Sequence, residues 1–275
     1  MKHVIILIAL ALTLSMSAQT KGIEFLNDTV FENVLAKAKA ENKLIFMDCY
    51  AVWCGPCKYM AASVFPDETL GEFHNKHFIN LKYDMEKPYG AGVRKKYGIR
   101  AYPSFLYLNG DGEVVHRSVG STATAADFLK VSRRAIDPER NFKAVNARIV
   151  KGDRNASTVS DYLDMNYGAT NADTLINDFF NQVAESEKLG SETWQLISNH
   201  VVNTKSPVFA FFVKNKKEFE SRYGKKEVDD YLYNVLSYVR RKDASEYENL
   251  KNIDPEVFNR HQLDMKKREE QRQKK

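Results

Sequence analysis

The sequence predicts an α/β sandwich with a central sheet, followed by an all-α array. Three observations carry this. Between residues 24 and 136, short β-like apolar runs alternate with segments of helical spacing, the pattern of a sheet flanked by helices. Beyond residue 140 the helical spacing continues without long β-like alternation. The length of 275 residues also exceeds that of a typical single domain.

Taken in order, the elements begin with a leader. Lys2 and His3 form a short basic end, residues 4–14 are an apolar run, and Ser15, Ser17 and Ala18 are small. This is the pattern of a secretory signal peptide over residues 1–18, cut near Ala18. The apolar core is too short for a comfortable membrane span, an uncleaved membrane anchor being the alternative, and no other stretch could cross a bilayer. The mature chain is therefore expected to be exported and to carry no transmembrane span. In a Gram-negative bacterium its place is the periplasm.

Residues 29–42 place Val30, Phe31, Val34, Leu35 and Ala38 on one helical stripe. Asp28 is a candidate N-cap, and Glu32 belongs in the first turns, where the helix dipole favours negative charge. Residues 44–50 form a buried strand. The next helix carries Pro56 in its first turn, where a missing amide costs little, and runs towards Phe65 until Pro66-Asp67 breaks it. A short helix over 69–77, an alternating strand over 78–84, a helix over 93–97 ending at Gly98, and a helix over 125–135 complete the first unit. Asp137-Pro138-Glu139 marks a boundary, because a residue before proline disfavours helix. The predicted domains are thus 19–137 and 138–275.

In the second half, residues 141–150, 157–167, 172–188, 191–202, 207–223 and 225–241 each carry helical spacing, with caps at Ser157, Ser191 and Ser206. They suggest paired antiparallel helices without a strict repeat. Aromatics such as Phe179, Trp194, Phe212 and Tyr231 are read as core. His200 and His261 have no Cys or His at ligand spacing and are read as structural or exposed. The net charge of +5 concentrates in residues 266–275, which hold no aromatic residue to stack on a base. That tail reads as a solvated helix end, and no nucleic-acid partner is expected.

The chemistry lies in Trp53-Cys54-Gly55-Pro56-Cys57-Lys58. The motif follows a strand and opens a helix, so Cys54 sits where unpaired amides and the helix dipole favour a thiolate. A mixed disulfide formed at Cys54 is within reach of Cys57, which can resolve it. Cys49, Cys54 and Cys57 also match the start of an iron–sulfur ligand set, but a fourth cysteine is missing. Zinc could borrow a histidine, yet it leaves the Gly-Pro dipeptide unexplained. A purely structural bridge closing two residues would restrain an unfolded chain little. No metal is therefore assigned. Cys49 follows Asp48 in its strand, points to the opposite face and is read as a buried, inert thiol.

These residues resemble the thioredoxin active site letter for letter, over roughly residues 24–136. Asp48, six residues before Cys54, matches the family's buried aspartate. Tyr102-Pro103, at the head of the strand over 104–108, resembles the cis-proline strand. Asn109-Gly110-Asp111-Gly112 reads as a hairpin turn into residues 113–116, with Gly120 closing it. The resemblance implies a thioredoxin-like fold with a central mixed sheet. It makes Cys54 the attacking nucleophile and Cys57 the resolving thiol. Asp48, with its pKa raised by burial, becomes the proton acceptor or donor for Cys57. Trp53, Gly55, Pro56, Tyr102 and a cis Pro103 would form the substrate surface. The sequence departs from the family at Ala62, where a helix-kinking proline is usual, and at Tyr102, which is bulkier than usual. It also departs at an apparent insertion over 88–92, and the family's lysine near the aspartate would fall at about Asn80.

The combined expectation is an exported thiol–disulfide oxidoreductase that reduces or isomerises protein disulfides and serves redox homeostasis. Gly-Pro between the cysteines resembles the reducing members, whose potentials lie well below those of strong oxidants. Electrons pass between dithiol and disulfide, so no separate cofactor is needed. An exported reductant requires an electron source, such as a membrane protein relaying electrons outward. The alternative is a non-catalytic docking or adaptor protein whose helical domain binds a partner.

Overall fold

The computed structural model describes residues 22–26 and 30–273. The leader, the candidate cap Asp28 and the last two lysines lie outside the described residues. The first unit runs α1 (Phe31–Glu41), β1 (Leu44–Tyr50), α2 (Gly55–Tyr59), α3 (Glu68–His77), β2 (Phe78–Asp84), α4 (Pro88–Tyr97), β3 (Ser104–Leu108), β4 (Val114–Val119) and α5 (Ala125–Ala135). The strands form one mixed sheet in the order β2-β1-β3-β4. β1 pairs parallel with β2 and antiparallel with β3, and β3 pairs antiparallel with β4.

Alternation along β1 sends Ile45, Met47 and Cys49 into a core shared with α1 and α4. Phe46 points the other way, into an aromatic core with Phe65, Phe105, Tyr107 and Phe128. With helices on both faces, β1 and β3 are buried nearly throughout. β2 was expected to alternate between buried and exposed positions. It is buried on both faces instead, because Asn80 and Asp84 are enclosed. The Asn80 amide donates to Glu24 O and Asn75 Oδ1, and its Oδ1 lies 3.3 Å from His74 Nδ1. A buried polar side chain is tolerated where its hydrogen bonds are met in this way.

Residues 88–92, read as an insertion, are the first turns of α4. That helix ends as expected at Gly98, whose positive φ of 63° suits a residue without a Cβ. α1 begins at Phe31 with Val30 as its N-cap, which offers no side-chain bond. The hairpin turn closes through the Gly112 amide to Asn109 O at 2.9 Å.

The second half contains α6 (Phe142–Val150), α7 (Ala156–Met165), α8 (Ala172–Gln182), α9 (Ser191–His200), α10 (Pro207–Lys214), α11 (Lys216–Tyr223), α12 (Lys225–Arg240), α13 (Ala244–Asn249) and α14 (Pro255–Gln273). The expected aromatics do form its core, with Trp194 against Phe212, Phe219, Tyr223 and Tyr231. Of the three serine caps only Ser206 acts, accepting from the Phe209 amide. Asn155 caps α7 and Gly190 precedes α9. The stretch over 207–223 is two helices, broken at Asn215, whose side chain donates to Phe211 O at 2.8 Å. His261 is buried between Ser237 and Tyr247, and His200 lies against Ser160 and Asp164, so both are structural.

The helical region packs on β4 through α6 and α7. Arg134 pairs with Asp161 at 2.5 Å, and the Phe142 amide donates to His116 Nδ1 at 3.2 Å. The anticipated boundary at 137–139 lies in the turn between α5 and α6, where the Asn141 amide returns to Asp137 O. No helix among the described residues is long and apolar enough to cross a membrane.

Candidate active site

β1 delivers the chain to Tyr50, and Ala51 to Trp53 form the loop into α2. Cys54 is the N-cap of α2, in extended conformation, and its Sγ accepts from the Cys57 amide at 3.1 Å. A sulfur in that position meets a helix's first free amides, which favours its anionic form after reduction. The pair is joined as a disulfide, with the Cα atoms 5.3 Å apart. Pro56 occupies the first helical turn as expected. Cys54 and Cys57 are only 2% and 5% exposed, whereas Trp53 is 67% exposed. A Cβ on Gly55 would meet no atom within 4 Å, so the flank of the motif is open.

α2 continues into a π turn over Met60–Val64, closed by the Phe65 amide to Met60 O at 2.9 Å. The helix is thus distorted beside Ala62 although the family's proline is absent. The wider turn keeps Met60 and Val64 both in the core.

Asp48 is 1% exposed and lies on the Phe46 side of β1. Burial raises its pKa to about 7, opposed by the charge of Lys82. Lys82 Nζ stands 3.7 Å from Asp48 Oδ2, while Oδ1 has no hydrogen-bond partner among the described residues. The same ammonium lies 4.9 Å from the Tyr50 ring centroid, which also favours a cation. The lysine facing Asp48 is therefore Lys82 and not a residue at Asn80. In the parallel register Asp48 pairs with Lys82, and Asn80 pairs with Phe46. The two strand starts, Leu44 and Phe78, already imply that register once parallel pairing is assumed.

The peptide bond between Tyr102 and Pro103 is cis. The Gly120 amide donates to Pro103 O at 2.9 Å, which ties this corner to the end of β4. Tyr102 packs against the cluster of Ala51, Cys54 and Cys57, and its ring meets Trp53 edge to face at 5.8 Å. Trp53, Gly55, Pro56, Tyr102 and Pro103 thus belong to the motif or to the corner packed against it. Besides Lys82, two residues escaped sequence reasoning, namely Glu86, which accepts from the Tyr102 hydroxyl, and Arg94, which donates to Glu86. Only the three-dimensional return of the β2–α4 loop reveals them. Cys49 is buried, free and held well above the usual thiol range by burial, which fits an inert role.

A Cys-X-X-Cys disulfide at a strand-to-helix junction, packed against a cis-proline corner, defines a thiol–disulfide oxidoreductase domain. A family profile described as a thioredoxin-like domain matches residues 31–136. Thioredoxin H4 of Arabidopsis thaliana is 39% identical over 87 residues, covering 32% of this chain and 68% of that protein. A thioredoxin H-type protein of Brassica campestris is 34% identical over 107 residues, covering 38% of this chain and 81% of its own length. A solution structure described as a putative disulphide-isomerase from Bacteroides thetaiotaomicron is 44% identical. It covers 43% of this chain and 97% of that one, with a TM-score of 0.39. The chain belongs to the thioredoxin family.

Proposed function

We propose that this protein is an exported oxidoreductase that reduces or isomerises disulfides in other proteins. The observation that carries the reading is the Cys54–Cys57 pair, with the Cys57 amide on Cys54 Sγ, beside the Tyr102–Pro103 corner. In the dithiol form, the Cys54 thiolate attacks one sulfur of a substrate disulfide. The substrate S–S bond breaks, a mixed disulfide forms at Cys54, and the first substrate sulfur leaves and takes up a proton. Cys57 then loses its proton and attacks Cys54 Sγ. That step closes the Cys54–Cys57 bond and frees the second substrate sulfur. Two electrons pass to the substrate, and a dithiol donor must return them.

Asp48 is the group assigned to accept the Cys57 proton, because a carboxyl titrating at about 7 exchanges protons near neutral pH. The leader pattern at residues 1–18 supports export, with the periplasm as destination in a Gram-negative cell. Export in turn calls for an electron donor at the membrane, and a relay protein there is the partner this reading requires.

Trapping tests the cycle. Cys57→Ser should leave mixed disulfides at Cys54, visible as adducts that dithiothreitol releases. Failure of that variant to retain any disulfide substrate, when Cys54→Ser is equally silent, would favour a docking role.

A further inference from the structure

Glu86 and Arg94 are remote from the motif in sequence, yet they hold the ring beside it. The Tyr102 hydroxyl donates to Glu86 Oε1 at 3.0 Å, and the same oxygen accepts from Arg94 Nη1 at 3.2 Å. Glu86 is itself anchored. Its amide donates to Asp84 Oδ1 at 3.0 Å, and the preceding Met85 amide donates to Tyr50 O at 2.8 Å. The loop after β2 is thereby tied to the end of the strand that delivers the cysteines. Tyr102 rests on the cysteine pair on one side and on Trp53 on another. Since the sulfurs are almost enclosed and Trp53 is exposed, an incoming disulfide meets the two rings first.

Resting on the oxidoreductase reading above, we propose that Glu86, supported by Arg94, is a positioning residue that locks Tyr102 against Trp53. The locked pair forms an apolar wall that selects polypeptide disulfides over small free ones. A wall fixed in advance need not be ordered when a polypeptide binds, and preorganisation of this kind lowers the cost of association. A small disulfide that touches only Cys54 gains nothing from it. The hydroxyl of Tyr102 is the link, so Glu86 and that hydroxyl act as one unit.

The test is single-turnover reduction of insulin and of hydroxyethyl disulfide by the pre-reduced full-length chain. The variants are Glu86→Ala, Tyr102→Phe, their combination and Glu86→Gln. Glu86→Ala and Tyr102→Phe are each expected to raise the half-saturating insulin concentration about fivefold, the scale of one solvent-accessible hydrogen bond of ordinary net strength. For the Glu86 variants, the maximal rate and the hydroxyethyl disulfide reaction should stay unchanged. The double variant should be no worse than either single one, and Glu86→Gln, which keeps an acceptor, should recover part of the loss. Equal losses on both substrates, additive losses in the double variant, or no change on insulin would overturn the proposal. A wild-type chain that reduces neither disulfide would fail at an earlier point, because the oxidoreductase reading itself would fall.

Discussion

Asp48 and Lys82 face each other across the parallel β1–β2 pair, with the ammonium 3.7 Å from one carboxylate oxygen and no hydrogen-bond partner for the other among the described residues. A direct contact of that length, with one oxygen left unbonded, compensates burial only in part. The carboxyl therefore titrates at about 7 instead of 3.8. The residue is poised to exchange protons, and the fold bears a cost for it.

That cost sets a stability trend with pH. The folded chain holds the Asp48 proton more tightly than the unfolded chain does. The resulting stability is full below about pH 3.8 and is lost as the pH rises through about 7. Asp48→Asn is expected to remove this decline and to stabilise the oxidised protein at pH 8, by at most ~4 kcal/mol. Thermal melts of both proteins at pH 5 and pH 8 would check it. A gap that fails to widen with pH would remove the buried-carboxyl account.

The same carboxyl should govern the resolving step. Release of the second substrate thiol is expected to accelerate as Asp48 ionises, with a midpoint near pH 7. Asp48→Asn should flatten that profile and slow the step by on the order of 10²-fold, the usual scale of general base catalysis. Rapid-mixing measurements on a preformed mixed disulfide at Cys54 would isolate the step from initial attack.

Two buried histidines act in the opposite sense. Burial lowers the pKa of His74 and of His116 to about 3, with the Arg134 charge adding to the effect at His116. Each binds its proton more weakly folded than unfolded, so their contribution is present above pH 6.5 and is lost as the pH falls towards 3. Protonation would also cost His116 Nδ1 its bond from the Phe142 amide, which joins the helical region to the sheet. Acid should therefore destabilise the protein by at most ~5 kcal/mol for each histidine. His116→Gln should give a shallower acid limb in unfolding experiments between pH 6 and pH 3.

Two glycines of α4 should respond oppositely to the same change. A Cβ on Gly90 would lie 2.1 Å from Asp84 O and 2.8 Å from Met85 Cα, whereas one on Gly92 would meet nothing within 4 Å. Gly90→Ala is expected to cost about 1–3 kcal/mol, because backbone must move. Gly92→Ala should stabilise the helix by up to ~1 kcal/mol. Denaturant midpoints of the two variants would separate these outcomes.

Much of the first unit was legible because its signals are local. Leu44–Tyr50, Phe78–Asp84 and Ala125–Ala135 have the bounds that apolar runs and turn residues implied. The cysteine motif and the Tyr102–Pro103 corner were recognisable for the same reason. What escaped depends on partners distant in sequence. Lys82 is chosen over Asn80 by strand register, and Glu86 reaches Tyr102 only through the fold. In the helical region the apolar period passes through Asn215, so the break there left no trace in spacing. The charged tail was read as a helix end, but the start of α14 hid because its buried residues, Val257, Phe258 and His261, are confined to its first two turns within a charged segment.

The most direct test of the central claim is the redox equilibrium of Cys54 and Cys57, in the chain without residues 1–18, against dithiothreitol or glutathione. A reversible two-electron couple near the thioredoxin value of about −270 mV is expected, and it should vanish in Cys57→Ser. A potential close to the strong oxidants, about −120 mV, would contradict a reductant and make the protein a disulfide donor. Failure of the pair to cycle at all would contradict the enzyme.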